Sequence, residues 1–208
     1  RYPGATSFDG MIIWSARPQR GPLAPLGNYQ VKIRVGEVQK TENFEIKIDP
    51  NLEEITASDL QLQFDLAMQI RNHTSLANEA VIKIRSIHDQ LETLMKNQEL
   101  SSLNALVHEF ITKTRRIEET LYQVKNQSNQ DPLNFPIKLN NRLASLRRSV
   151  ENGQAKPTDA SYIVFDELKG ELNQLLNQLD KLLSEDLNSL NNAFMAKGFK
   201  VIEIEKGI

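Results

Sequence analysis

Cysteine is absent from this chain of 208 residues. The absence excludes disulfide bonds, thiol catalysis and every metal site that needs a cysteine ligand. It does not fix the cellular compartment, because many exported bacterial proteins also lack cysteine. Aromatic residues are scarce at 6% of the chain, with one tryptophan.

Long apolar runs and a strong excess of one charge are also missing. No stretch of about 18 apolar residues occurs, so the sequence predicts no transmembrane helix, and no signal peptide is recognisable. The net charge of -2 gives no reason to expect nucleic acid or an anionic membrane as partner. The length is sufficient for one large domain or two small ones.

What the chain does contain is two long amphipathic patterns, over residues 58–97 and 158–197. Each predicts a helix about 60 Å long. Ser58 followed by Gln61 is a capping-box pattern, and Thr158 caps the second long helix. Apolar residues recur at three- and four-residue steps along the first, as in a coiled-coil seam: Leu60, Phe64, Ala67, Ile70, Ala77, Val81, Ile84, Leu91 and Leu94.

Two shorter helices are predicted between the long ones, over residues 101–125 and about 134–152. Pro136 suits the first turn of the latter, and Asn152-Gly153 suits its end. Four helices with short connections pack as antiparallel neighbours. We therefore expect an up-down helical bundle over residues 51–198.

β patterns flank the helices. The apolar run Met11–Trp14 predicts a short strand. Residues 29–35 alternate apolar and polar, as do residues 38–48, with Gly36-Glu37 as a tight turn between them. Phe199, Val201 and Ile204 predict a last strand, within residues 199–208, that returns to the N-terminal sheet. The expected fold class is mainly α with a small β part.

Catalytic and metal-binding patterns are not recognisable. His73 and His88 lie about 22 Å apart along one predicted helix and cannot share a metal. With His108, they are interpreted as surface or polar-seam histidines. There is no di-iron pattern of Glu-x-x-His pairs, no phosphate loop, no nucleophile elbow and no zinc spacing. We therefore predict no metal and no cofactor.

Pairs of adjacent charges have a simple structural interpretation. The acidic pairs Glu53-Glu54, Glu118-Glu119 and Glu185-Asp186 diverge by about 100° on a helix, which indicates a solvated face rather than a catalytic dyad. Arg115-Arg116 and Arg147-Arg148 could face an anionic partner. Pairing within the helix, with Glu118 and Glu151, is favoured.

Three residues are candidates for an interaction. Trp14 could stack on a sugar, although packing between sheet and bundle is favoured. Leu176 and Leu183 widen the apolar stripe of the last helix, through the pairs Leu175-Leu176 and Leu182-Leu183. Either that helix is central in the bundle, or it offers a surface to a partner.

Several short segments of the chain are characteristic when taken together: Tyr2–Ala5, Phe8–Trp14, Gly21-Pro22, Pro25–Val31, Ile48–Asn51 and Ser58–Phe64. They resemble the C-terminal region of large bacterial proteins with sortilin-type β-propellers. Those proteins are often labelled glycosyl hydrolases with bacterial neuraminidase (BNR) repeats. The resemblance covers most of residues 1–95. Leu26, between proline and glycine, departs from the family pattern.

The resemblance implies that residues 1–50 are part of an immunoglobulin-like β-sandwich and that the chain is the C-terminal piece of a periplasmic, cell-surface or secreted protein. Any hydrolytic site would lie in the propeller, and no family catalytic residue maps onto this chain. Our first hypothesis is a non-catalytic structural or interaction module whose partners are the upstream propeller and sandwich. The alternatives are a stand-alone helical interaction module and a carbohydrate-binding or hydrolase accessory unit centred on Trp14.

Overall fold

A computed structural model describes residues 1–96 and 98–204. It confirms a mainly α fold with a small β part, since 56% of the chain is helical. Two short 3-10 helices, Gln98–Leu103 and Asp131–Leu133, lie in the connections. The main elements in this part of the chain are β1 Gly27–Val35, β2 Val38–Ile46, α1 Ala57–Leu94, α2 Asn104–Leu121, α3 Leu139–Val150, α4 Asp159–Ser184 and α5 Asp186–Ala196.

The first long helix forms as expected, but its cap lies two residues earlier. The Asp59 N–H donates to the Thr56 hydroxyl at 3.1 Å, and the Thr56 N–H donates to the Asp59 carboxylate at 3.0 Å. This reciprocal pair is a capping box. Hydrogen bonds from the Thr56 hydroxyl, at 2.6 Å, and from the Thr56 N–H to the Asp59 carboxylate lower the pKa of Asp59. Ser58 is therefore not the cap, and the predicted end at Asn97 lies outside the described residues.

The second long helix is divided at Glu185 into α4 and α5, so the expectation of one continuous helix is wrong there. Side chains next to the break donate to the local backbone: Asn188 to the Ser184 carbonyl at 2.7 Å and Ser189 to the Glu185 carbonyl at 2.9 Å. Such bonds compete with regular helix geometry. The apolar stripe nevertheless continues through Leu187 into α5.

The third predicted helix starts later than expected. α3 begins at Leu139, and Pro136 lies before it in the connection. The Gln123 side chain donates to the Pro136 carbonyl at 2.8 Å. The Asp131 carboxylate accepts from the N–H groups of Gln127 and Ser128. These contacts hold residues 122–138 as an ordered connection instead of a helical first turn.

The hydrophobic core is built around α1, which contacts α2, α3 and α4. α1 buries residues on more than one side, because other helices and the N-terminal residues surround it. The buried apolar side chains of α1 are Leu66, Ala67, Ile70, Ala77, Ala80, Val81, Ile84, Ile87 and Leu91. Leu121, Leu143, Leu172 and Phe194 supply fully buried side chains from the other four helices.

Within the described residues, the sheet is one antiparallel hairpin of β1 and β2. Val35 pairs with Val38 across the predicted turn, and Gly36 there has φ +57, a conformation that favours glycine. At the other end Tyr29 pairs with Phe44, and their rings stack at 5.7 Å. The alternating pattern therefore predicted the hairpin correctly, although β2 ends at Ile46 and not at residue 48.

Two other predicted strands do not form. Met11–Trp14 is irregular and ends in a turn, and residues 199–204 form no strand and do not join the sheet. Helix side chains take the place of a strand partner for Ile202, whose N–H donates to Asn191 at 2.8 Å and whose carbonyl accepts from the same side chain at 3.1 Å. Residues 205–208 of the predicted strand lie outside the described residues.

Candidate interaction surface

The N-terminal segment, residues 1–24, lies across the helices as an irregular strap. Its backbone is satisfied largely by helix side chains. The Thr6 N–H donates to the Ser75 hydroxyl at 3.0 Å, and the Thr6 carbonyl accepts from Asn78 at 2.7 Å. The Ile12 N–H donates to the Tyr122 hydroxyl at 3.1 Å. Ser75 and Asn78 of α1 and Tyr122 at the end of α2 are buried because the N-terminal segment covers them. Its backbone supplies the hydrogen-bond partners that these buried polar groups need.

An aromatic and charged cluster anchors the middle of this segment. The Phe8 ring meets the Tyr122 ring edge-on at 5.0 Å, and the Arg85 guanidinium lies over both rings, 4.8 Å from the centroid of Phe8. Arg85 also donates to the Glu118 carboxylate at 2.6 Å. Because Glu118 is buried, this ion pair between α1 and α2 compensates its desolvation.

Trp14 lies where the N-terminal segment crosses α3. Both backbone groups of Trp14 bind the side chain of Asn141: the Trp14 N–H donates at 2.6 Å and its carbonyl accepts at 3.1 Å. The indole is half-buried. Trp14 lines none of five clefts in the described part of the chain, so none of these clefts is the open pocket that sugar stacking on this ring would require.

The two candidate leucines belong to the core side of the last helix. Leu183 is buried, with 7% of its surface exposed, and Leu176 is half-buried against the core. The idea that Leu183 is offered to a partner is therefore wrong. Leu175 and Leu182 are also packed against the core, so the widened stripe reflects a helix with several neighbours.

A group of exposed apolar side chains lies instead on one face of the hairpin. The register of β1 and β2 places Tyr29, Val31, Ile33 and Val35 on one face with Val38 and Phe44. Val35 and Val38 are each 74% exposed and Ile33 is 60% exposed. We call this set of six residues the apolar hairpin face. Sequence reasoning found the alternation and expected one buried face, but the helices do not cover it.

The base of the hairpin alone approaches the bundle. Leu26 and Ile46 share a cleft with Leu60 and Phe64 of α1, while neither strand has an extended contact with any helix. An exposed ion pair between Lys40 and Glu42, at 2.9 Å, lies on the same face as Val31 and Ile33. The hairpin is thus held at one end and free along most of its length.

The histidines differ in environment. The Thr114 hydroxyl donates to the Phe110 carbonyl at 2.9 Å, so it accepts from His88 Nε2 at 2.7 Å. Burial lowers the pKa of His88 against an opposing effect of Glu118. His73 donates to the Gln69 carbonyl at 2.8 Å, and His108 is exposed. Among residues 1–96 and 98–204, no group of three or more His, Asp or Glu could hold a metal ion.

Of the two predicted intrahelical ion pairings, with Glu118 and with Glu151, one forms. Arg147 pairs with Glu151 within α3 at 2.9 Å, which confirms the expected intrahelical pairing. Glu118 pairs across to α1 instead, with Arg85. Arg115 and Arg116 remain exposed. The side-chain spacing along α2 could not reveal this competition, since Arg85 is 33 residues away.

In the part of the chain that the structure describes, no helix is both long enough and apolar enough to cross a membrane. Comparisons with family models, with curated proteins and with solved structures find no significant match. The candidate interaction surface is the apolar hairpin face, because its side chains are exposed and share one face of the sheet.

Proposed function

We propose that this chain is a non-catalytic structural and interaction module of a larger exported β-propeller protein of the kind it resembles. The observation that carries the proposal is the apolar hairpin face. Six alternating β-branched and aromatic side chains stand on a free two-stranded sheet. A two-stranded hairpin is marginal by itself and needs further strands, or packing against a helix, to be stable.

The occupant of this face is the β-sandwich of the same parent protein. Alternating Val, Ile, Tyr and Phe side chains are typical of the inner face of a sandwich sheet. The face is free over most of its length, and within residues 1–96 and 98–204 each strand pairs only with the other, which leaves an edge where a further strand can add. The helices serve as a rigid support that fixes the base of the hairpin.

The alternatives have less support. Exposed Leu176 or Leu183 would favour an interaction through the last helix, and neither is exposed. A sugar-binding unit centred on Trp14 required an open pocket beside the ring, and Trp14 lines none of the described clefts.

The test is a calorimetric titration of this chain with the separately expressed β-sandwich region of the parent protein. The variant Ile33→Asp/Val38→Asp places two charges on the apolar hairpin face. The control variant Lys32→Asp/Gln39→Asp places two on the opposite face, where Lys32 and Gln39 lie. All four positions are exposed, so both variants are expected to keep the helical circular dichroism of the parent chain.

We expect binding by the unmodified chain and by the control, and loss of binding by the first variant. Equal binding by both variants would show that the apolar hairpin face is not the interface. No binding by a folded, monomeric chain would overturn the proposal, and sedimentation that depends on concentration would identify a second copy as the occupant instead.

A further inference from the structure

A second surface, unrelated to the hairpin, is strongly basic. A cleft of about 570 Å³ lies between the N-terminal segment and the end of α3. Five of its described lining residues are arginines and one is acidic: Arg1, Arg17, Arg20, Arg147, Arg148 and Glu151. This is a local formal excess of four positive charges in a chain whose net charge is -2. We call it the arginine cleft.

The cleft is built on a buried guanidinium. Arg147 is 6% exposed and donates to the carbonyls of Arg17 at 2.9 Å and Arg20 at 2.7 Å. These two residues begin and end a tight turn, in which the Arg20 N–H donates to the Arg17 carbonyl at 3.0 Å. Arg147 therefore fixes the backbone of the turn without using the two arginine side chains that the turn carries.

Two further arginines of the cleft bind backbone carbonyls of the N-terminal segment. Arg148 donates to the carbonyl and the hydroxyl of Ser15, a residue with φ +56. Arg1 donates to the Gly21 carbonyl at 2.8 Å and lies 3.6 Å from Glu151. The side chains of Arg17 and Arg20 are exposed. Within the described residues, neither side chain makes a hydrogen bond or an ion pair.

The charges of the cleft are incompletely balanced. The single carboxylate, Glu151, is shared by Arg147 and Arg1, and its carboxylate also accepts from the Leu23 N–H at 3.1 Å. Burial lowers the pKa of Arg147 against an opposing effect of Glu151, and the nearby charges of Arg1 and Arg71 add to the lowering. Like charges held this close are stabilised by an anion that enters between them.

We propose that the arginine cleft binds a doubly or multiply charged oxyanion, a phosphate or sulfate group, through the free guanidinium groups of Arg17 and Arg20. The planar guanidinium fork matches two oxygens of such a group. The fixed turn presents both forks with little loss of backbone entropy, and the cleft volume lies within the usual range for small-ligand sites. The proposal is independent of the hairpin interface.

The experiment is calorimetric titration of the full chain with inorganic pyrophosphate at low ionic strength. The variant Arg17→Gln/Arg20→Gln removes the two free guanidinium groups. Arg115→Gln/Arg116→Gln is the matched control, since it removes two exposed arginines from α2 and gives the same net charge. Parallel titrations with sulfate and with citrate distinguish phosphate, sulfate and carboxylate as the recognised group.

We expect saturable binding of one pyrophosphate, weakened about tenfold or more in the cleft variant and unchanged in the control. The unfolding midpoint of the cleft variant should match that of the unmodified chain. Arg147 holds the turn through the backbone carbonyls of Arg17 and Arg20, which the variant keeps. Absence of saturable binding, or equal weakening in both variants, would overturn the proposal. Tighter binding of citrate than of pyrophosphate would overturn the assignment to phosphate or sulfate.

Discussion

The side chain of Asn141 binds the backbone of Trp14 through both of its polar atoms, as a neighbouring strand would. The Trp14 N–H donates to Asn141 Oδ1 at 2.6 Å, and Asn141 Nδ2 donates to the Trp14 carbonyl at 3.1 Å. Asn141 thus occupies the two backbone groups of Trp14 that a neighbouring strand would otherwise bind. Residues 11–14 have the composition of a strand, but at Trp14 a helix side chain replaces the strand partner. Asn141 is buried at 4% exposure, so the pairing is shielded from water.

Replacing Asn141 should loosen the N-terminal segment before the helices. Asn141→Ala leaves both backbone groups of Trp14 without these partners, and we expect a loss of about 1–3 kcal/mol in the free energy of unfolding. Trp14 is the only tryptophan, so its fluorescence reports on this segment while circular dichroism reports on the helices. In urea, the fluorescence transition should come first. Coincident transitions would contradict a local role.

Two glycines allow the N-terminal segment to fold back on itself, and a third offers a control. A Cβ on Gly4 would lie 2.0 Å from the Gln19 carbonyl oxygen, and one on Gly21 would lie 1.9 Å from that of Tyr2. Gly4→Ala and Gly21→Ala must therefore push backbone segments apart, at a cost of about 1–3 kcal/mol. The Cβ of Gly170→Ala, in α4, meets open space.

Thermal unfolding distinguishes the crowded glycines, Gly4 and Gly21, from Gly170, which has open space around it. Gly4→Ala and Gly21→Ala should lower the melting temperature, and either should weaken pyrophosphate binding, because the turn with Arg17 and Arg20 moves. Gly170→Ala should stabilise the helix by about 1 kcal/mol. A melting temperature for Gly4→Ala equal to that of the unmodified chain would show that residues 3–20 are not held together as described.

His88 should make stability depend on pH. Its folded pKa lies below the ordinary value of 6.5 because burial disfavours the imidazolium. The unfolded chain therefore binds more protons as the pH falls through that value, and the free energy of unfolding should decrease from about pH 7 towards pH 5. Glu118, Glu92 and Asp89 oppose this shift, and Arg115 adds to it.

The variants His88→Gln and His108→Gln test whether His88 causes the pH dependence of the free energy of unfolding. Urea unfolding across the same pH interval should show a flatter dependence for His88→Gln. His108 is exposed, so His108→Gln should keep the slope of the unmodified chain. An unchanged slope in His88→Gln would assign the pH dependence to other groups.

The Arg85–Glu118 pair should show strong coupling in unfolding experiments. Arg85→Met leaves the buried Glu118 carboxylate without its cation and removes the charge above Phe8 and Tyr122. We expect a loss of about 2 kcal/mol, less than for a fully buried pair because Arg85 is partly exposed. The double variant Arg85→Met/Glu118→Gln should recover part of it. Additive losses in this cycle would indicate that the two groups do not interact.

The sequence by itself determined the elements whose signals are local. The spacing of apolar residues placed the long helices, and the alternation around Gly36 placed the hairpin, because helix and strand periodicities act over a few residues. The break at Glu185 was missed, since Leu183, Leu187 and Leu190 continue the apolar spacing across it. The start of α3 was also missed, because Pro136 suits a first helical turn but is held in the connection by Gln123.

Tertiary structure alone decided what covers each element. Leu183 is buried because the last helix has several neighbours, and Ile33 is exposed because no helix packs on the hairpin. Arg17, Arg20 and Arg147 form one cleft only because hydrogen bonds join residues about 130 positions apart, and no periodic pattern encodes such a contact. The sequence fixes which residues are able to pack or carry charge, while the partners of those residues depend on how the helices and the N-terminal segment come together.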